Sequence, residues 1–165
     1  DIWHIIFDRF KKHLKINFAA SYVCTDADSK HMDLNSLYDF DGIFYYPNDE
    51  MSYPKRFKEA LSTIKQNYVL VFHDNNILIE DTDIERFKKA ETILYRDSPD
   101  KLQLALGAAS PPGIKIDDDI YMMLPHDIYK YTVFPTIWKK SSLMKIFDLF
   151  PHKTYRNIED NEVQE

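Results

Sequence analysis

Apolar positions along the first two thirds of the chain recur at two spacings, which predict alternating helices and strands. The first helix is predicted by an apolar stripe at helical spacing, formed by Trp3, Ile6, Phe7, Phe10 and Leu14. Short apolar runs at 42–46 ("GIFYY") and 68–72 ("YVLVF") predict strands. The second run shows no alternation, which is typical of a strand covered on both faces in a parallel sheet.

The same patterns predict the remaining elements. Further helices are expected within 47–66 and 81–94 and around Leu143–Phe150, and Thr82 with Glu85 fits a capping box for the helix at 81–94. Further strands are expected at 17–24, 101–106, 119–124 and 131–138. Pro135 would place the last of these strands at a sheet edge or a bulge. The order predicts an α/β fold with a mainly parallel central sheet flanked by helices.

The predicted fold begins with a helix, whereas α/β sheets of this kind normally open with a strand. The first residue is Asp1 rather than Met. We therefore expect residues 1–165 to form a single domain that is a piece of a longer chain, with its first strand upstream.

Composition excludes several classes of function. A single cysteine, Cys24, permits no internal disulfide and no four-cysteine zinc site, and three glycines leave no phosphate-binding glycine loop. The net charge of −6 argues against nucleic acid as the main partner. No apolar run reaches the length of a membrane span and no signal peptide is visible, so we expect a cytoplasmic protein.

Oxygen-bearing side chains follow three of the predicted strands, where α/β sheets bind ligands. These exits place Asp26, Asp49 and Asp74 with Asn75 and Asn76 at the carboxyl ends of the strands. Carboxylate and amide oxygens suit Mg²⁺ or Mn²⁺ shared with substrate phosphates, and His73 would join an Mn²⁺ site. The alternative is that Asp and Asn stand there because they favour turns.

Three other features have an ordinary structural explanation beside a functional one. The acidic run at 117–119 is expected to be solvated. Cys24, at the end of an apolar strand, is expected to be a buried and unreactive thiol rather than a nucleophile. Arg56, early in a helix, would pair with a phosphate or remain a solvated surface residue.

The chain also resembles a known family in the order of four segments. They are "DIWHIIFDRFKKHL", "YPNDEMSYPKRFKEALSTIKQNYVLVFHDNNIL", "FPTIWKKSSLMKIF" and "YRNIED". The series is similar to small sugar-transferase-like proteins of bacterial surface-polysaccharide clusters and large DNA viruses. These proteins have the A-type glycosyltransferase fold, so the resemblance implies a nucleotide-sugar donor and a glycan or protein acceptor.

The resemblance also implies roles for individual residues. Asp74 matches an acidic position that holds a metal and the donor diphosphate, while Asn75 stands where a second acid is expected. Arg56 would face the donor, residues 136–140 ("TIWKK") would line the acceptor side, and Glu159 would be the general base. Asp26 and Asp49 would contact the donor nucleotide, and the metal would be Mn²⁺ or Mg²⁺.

Two hypotheses of function follow. The first is a glycosyltransferase domain that uses a nucleotide-sugar donor. The second is a catalytically inactive relative with a structural or interaction role, for example in a virus particle or a larger polypeptide. It is motivated by the replacement of one acid by Asn75.

Overall fold

The computed structural model describes residues 2–26, 30, 32–46, 51–104, 113–118, 120–124 and 131–152. The helices are α1 (Ile2–His13), α2 (Leu34–Leu37), α3 (Tyr53–Thr63), α4 (Ile84–Asp97) and α5 (Lys140–Leu149). The strands are β1 (Tyr22–Asp26), β2 (Gly42–Tyr46), β3 (Tyr68–Val71), β4 (Lys101–Gln103), β5 (Ile114–Asp117), β6 (Ile120–Met122) and β7 (Thr136–Lys139). Within these ranges, no helix is long and apolar enough to cross a membrane.

The strands form three small sheets rather than one, and their directions are mixed. β1 and β2 pair in parallel, whereas β3, β7 and β4 form an antiparallel sheet in that order, and β5 and β6 form an antiparallel pair. The prediction of a mainly parallel central sheet flanked by helices is therefore wrong. All four residues at 68–71 are half-buried. A strand that is covered on both faces lacks alternation of apolar and polar residues whether its sheet is parallel or antiparallel, so this pattern did not indicate the strand direction.

The parallel pair is covered by the two N-terminal helices. The predicted stripe of α1 is confirmed except at Leu14, which lies beyond the end of the helix. Ile6 and Phe7 are buried in a core with Val23 of β1 and Leu34 of α2, and Trp3 and Phe10 pack against it. Aromatic rings surround Phe7, and the ring of Phe40 meets it edge-on at a centroid distance of 5.2 Å. This first core is therefore built from consecutive segments of the chain.

β7 is the central strand of the antiparallel sheet, and its first three residues are fully buried. Trp138 packs with Leu61 of α3 and with Leu143 and Phe147 of α5. Ile137 packs with Ala90 and Leu94 of α4. Because neighbouring side chains on a strand point to opposite faces, β7 is covered by helices on both sides.

Pro135 lies immediately before β7, so the prediction that it marks an edge or bulge within a strand is wrong. The ladder begins at Thr136, and the missing N–H of the proline therefore costs no ladder hydrogen bond. The carbonyl of Pro135 instead accepts a hydrogen bond from the backbone N–H of Leu104, at 2.9 Å. A proline just outside the first ladder position is compatible with a central strand.

The N-terminus of α4 differs from its prediction by one residue. Asp83 is the N-cap, and its carboxylate accepts from the backbone N–H of Arg86 at 3.0 Å. The hydroxyl of Thr82, the predicted cap, donates instead to the carbonyl of His13 at 2.7 Å. Threonine and aspartate are both favourable N-cap residues. Because the Thr82 hydroxyl is used in the hydrogen bond to the end of α1, Asp83 is the N-cap.

The acidic run at 117–119 begins inside a hairpin of β5 and β6. Asp117 is the last residue of β5, and its carboxylate pairs with the ammonium of Lys89 on α4 at 2.9 Å. Asp117 and Asp118 are exposed, in agreement with the expected solvation.

Candidate ligand-binding site at the ends of β1 and β2

The carboxyl ends of β1 and β2 form one edge because the two strands run in parallel. Their last residues, Asp26 and Tyr46, are partners in the register. Both are half-buried. Asp26 is thus the final residue of a strand rather than part of the turn predicted from its neighbours, and it stands beside the aromatic end of β2.

α3 places Arg56 over the ring of Tyr46. The helix begins after Ser52 with Pro54 in its first turn, where the fixed φ of proline suits a helix start. The guanidinium carbon of Arg56 lies 4.3 Å from the centre of the Tyr46 ring, in a cation–π contact. Within the described residues, the guanidinium of Arg56 forms no ion pair.

The pKa of Tyr46 shows which charges surround this ring. Burial raises the pKa of the phenol, and the positive charge of Arg56 lowers it. The negative charges of Asp26 and Asp74, and the nearby Cys24, raise the pKa further. Asp26 is the register partner of Tyr46 and Arg56 covers its ring, whereas Asp74, at an exposed turn, has the smallest effect on this pKa.

The turn after β3 explains part of the polar sequence at 73–76. The backbone N–H of His73 donates to the side-chain oxygen of Asn76, and the N–H of Asn76 donates to the carbonyl of His73, both at 2.9 Å. Asn76 thus has the ordinary role of a turn residue. Asp74 and Asn75 lie at the tip of the turn, and both are exposed.

His73 packs against α3. Its ring lies roughly parallel to the rings of Tyr53 and Phe57, with centroid distances of 6.3 and 6.4 Å. Burial lowers the pKa of His73, and the charge of Asp74 opposes this effect only in part. The imidazole is therefore neutral at neutral pH, and its packing holds the Asp74 turn against the helix that carries Arg56.

The carboxylates that influence Tyr46 are the candidate metal ligands. Among the described residues, no group of three or more His, Cys, Asp or Glu side chains is placed to hold an ion. Asp26 and Asp74 provide two carboxylates near one ring, and Asn75 follows Asp74 with an amide. Mg²⁺ is often held by one or two carboxylates together with substrate phosphates, and this arrangement suits such shared coordination.

Cys24 lies in the middle of β1. Burial raises the pKa of its thiol to about 11, although the charge of Arg56 lowers it. The thiol is therefore protonated at neutral pH, in agreement with the predicted unreactive cysteine.

The remaining predictions concern Asp49, Glu159 and Trp138. Asp49 and Glu159 lie outside the described residues, so their roles remain predictions. Trp138, in the segment expected to line the acceptor side, is 3% exposed in the core of the antiparallel sheet. That expectation is wrong for Trp138, because the segment forms the central strand.

Tyr46 is the residue that sequence reasoning did not select as part of the site. Its available signal was its position as the last residue of a predicted strand, directly before Pro47. No pattern in the neighbouring sequence indicated that Arg56 would lie over the Tyr46 ring.

A separate groove of about 480 Å³ lies between α3 and the end of α5. Lys55, Lys58 and His152 lie along it, with Phe147 also in its lining. Tyr46, Arg56 and Asp74 do not border this groove, so it is not part of the candidate site.

Comparison with known proteins identified no relatives. No protein-family model matches the chain, and no curated protein or solved structure matches it significantly. The chemistry of the residues around Tyr46 is therefore the basis for a functional proposal.

Proposed function

We propose that this chain is a glycosyltransferase domain that binds the diphosphate of a nucleotide-sugar beside Tyr46 and transfers the sugar to a glycan or protein acceptor in the cytoplasm. The observation that carries the proposal is the guanidinium of Arg56 on the ring of Tyr46, 4.3 Å from its centre, with Asp26 and Asp74 as charged neighbours.

Arg56 is the proposed phosphate ligand. A guanidinium that lies on an aromatic ring keeps its N–H groups at its edge, where they can donate in pairs to phosphate oxygens. The stacking also limits the rotation of a long side chain, which lowers the entropy lost on binding. Both effects favour a planar arginine over a lysine at this position.

Asp26 and Asp74 are the proposed ligands of the ion that accompanies the diphosphate. The negative charges of Asp26 and Asp74 oppose that of Arg56 and would repel a diphosphate. Mn²⁺ or Mg²⁺, when bound, would offset the charge on the departing diphosphate. Asn75 would contribute a neutral oxygen, and Glu159 remains the proposed base for the acceptor hydroxyl.

Calorimetry of the folded protein against UDP-, GDP- and dTDP-sugars, with Mn²⁺ or Mg²⁺, tests donor binding. We expect one donor class to bind only when a divalent cation is present. Arg56→Gln should weaken binding at least tenfold, whereas Arg96→Gln, an exposed arginine on α4 paired with Asp97, should leave it unchanged. A folded protein that binds none of these donors contradicts the proposal.

A non-catalytic interaction module is the second candidate. It is favoured by the burial of Trp138, which removes from the surface an aromatic residue expected on the acceptor side. Release of nucleoside diphosphate from a bound donor, followed with a panel of glycan acceptors, separates the two candidates. Donor binding without any release or transfer supports the module.

A further inference from the structure

The last residue of α1, His13, is joined to a segment far along the chain. Its carbonyl accepts two hydrogen bonds from Thr82, one from the backbone N–H at 2.9 Å and one from the hydroxyl at 2.7 Å. The Thr82 hydroxyl in turn accepts from the backbone N–H of Lys15 at 3.2 Å. Carbonyls in the last turn of a helix have no partner within the helix, so a residue just before α4 completes the end of α1.

The His13 side chain adds a directed contact to the same segment. It is buried, and its Nδ1 lies 2.8 Å from Oδ1 of Asp81. The hydrogen bond from His13 holds the pKa of the Asp81 carboxyl below its ordinary value. The carboxylate is therefore ionised at neutral pH and can only accept, so Nδ1 donates to it.

The connection between β3 and α4 is thus held by α1 near both of its ends. Near its start, the ring of Phe72 lies 5.0 Å from that of Phe10, one helical turn before the end of α1. Near its end, Thr82 contacts His13. The turn that carries Asp74 lies between these two anchors.

The same helix packs on the strand that ends at Asp26. The buried residues of α1 lie in one core with Val23, which precedes Asp26 on β1. α1 therefore contacts both the strand that supplies one carboxylate of the candidate site and the connection that supplies the other. A shift of this connection along α1 would move Asp74 relative to Asp26 and Tyr46.

We propose that the end of α1 is a clamp that sets the position of the Asp74 turn relative to the ends of β1 and β2, with His13 as a positioning residue for the candidate site. This role rests on the proposed function, because the clamp is assigned a part in binding the donor diphosphate. His73 packs the same turn against α3. The turn is then located by two helices, one from each region.

Amide hydrogen exchange followed by NMR tests the clamp without a ligand. The N–H of Asn76 is hydrogen-bonded inside the turn, so its exchange reports opening of the turn. His13→Leu keeps an apolar side chain in the buried position but removes the donor. It should speed this exchange about tenfold, as expected for loss of a hydrogen bond to a charged group. His13→Asn restores a donor near the position of Nδ1 and should return the rate towards that of the wild type.

Two further variants separate the clamp from a general loss of stability. Asp81→Ala removes the acceptor at a side chain that is 65% exposed, so the protein should stay folded while exchange at Asn76 still rises. Ser142→Ala removes another long-range hydrogen bond, from the Ser142 hydroxyl to Asp100 at 2.6 Å. That bond lies outside the connection between β3 and α4, so its loss should leave exchange at Asn76 unchanged.

Calorimetry with pyrophosphate and Mg²⁺ measures the consequence for the site, since pyrophosphate probes the diphosphate position without a nucleoside. His13→Leu and Asp81→Ala should raise its dissociation constant about fivefold or more, the lower end of typical coupling between separate sites. His13→Asn should recover most of the affinity, and Ser142→Ala should have no effect.

The two measurements fail in different ways. A wild-type protein that binds no pyrophosphate contradicts the proposed function, and the exchange rates then test the clamp by themselves. Unchanged exchange at Asn76 in both His13→Leu and Asp81→Ala overturns the clamp. Faster exchange with unchanged pyrophosphate affinity overturns the role of His13 at the site.

Discussion

The parallel pair β1–β2 and the antiparallel sheet β3–β7–β4 are assembled in opposite ways. The first region is built from consecutive segments within residues 2–46. The second places a strand from residues 136–139 between strands from residues 68–71 and 101–103. Similar short apolar runs therefore end in different environments, because the partners of a strand are set by distant parts of the chain.

The candidate site lies where the two regions meet. The ring of Phe10 on α1 lies 5.0 Å from that of Phe72, next to the end of β3, and Arg56 of α3 covers Tyr46 of β2. The first region supplies a carboxylate and an aromatic ring, and the second supplies the cation and the other carboxylate. The chemistry of the site thus depends on how the two regions pack against each other.

The chain has two tryptophans, and they report separately on the two regions. Trp3 lies in α1 against the ring of Phe7, and Trp138 lies in the middle of the antiparallel sheet. Their fluorescence during urea unfolding therefore distinguishes loss of one core from loss of both.

The largest effect is expected from Trp138→Ala. The side chain is 3% exposed and packs against α3 and α5, so its loss should reduce the free energy of unfolding by roughly 3–5 kcal/mol. We expect the helical circular dichroism to fall at a lower urea concentration than the Trp3 fluorescence changes, because α1 belongs to the other core. Coincident transitions would show that the two regions unfold as one unit.

Leu34→Ala tests the first region and should cost less, about 2–3 kcal/mol, at the lower end for a buried leucine. Leu34 is 1% exposed and packs with Ile6 and Phe7. In a Trp138→Phe background, Trp3 is the remaining tryptophan, so its fluorescence should report the full decrease in the free energy of unfolding. The matched variant Leu149→Ala, at an exposed site, should change stability by less than about 0.5 kcal/mol.

His73 should make stability depend on pH. Because burial holds the pKa of His73 below its ordinary value of about 6.5, the neutral form is favoured in the folded state. Its contribution to stability is complete above that pH and is lost as the pH falls towards the folded pKa. In urea unfolding, His73→Gln should flatten this acid-side decline relative to wild type. The exposed His4→Gln should leave the decline unchanged; equal profiles for all three proteins would refute the assignment.

The smallest effect is expected from the contact that joins the two regions at the site. A double-mutant cycle with Arg56→Gln and Tyr46→Leu should give a coupling energy of about 0.5–1 kcal/mol, typical of a partly exposed cation–π pair. Tyr45 precedes Tyr46 on β2, and its ring lies under Lys30 rather than Arg56. A double-mutant cycle with Arg56→Gln and Tyr45→Leu should therefore give no coupling energy. Equal coupling in both cycles would contradict the observed stacking.

Local sequence patterns predicted most elements but not their boundaries. The α1 stripe up to Phe10 and the whole of β2 agree with the structure, because helix and strand periods depend on nearby residues. The cap of α4 was displaced from Thr82 to Asp83 by a contact with His13. A hydrogen bond across 69 residues has no local signal.

The sequence by itself determined the existence of most helices and strands, although not α2 or β5, and the polar residues at the carboxyl ends of β1 and β3. Only the tertiary structure decided the direction of the strands, the central position of β7, and the placement of Asp26 and Arg56 beside Tyr46. The reason is physical: apolar spacing records which face of an element is buried. Strand order and site geometry depend on which distant surfaces cover that face.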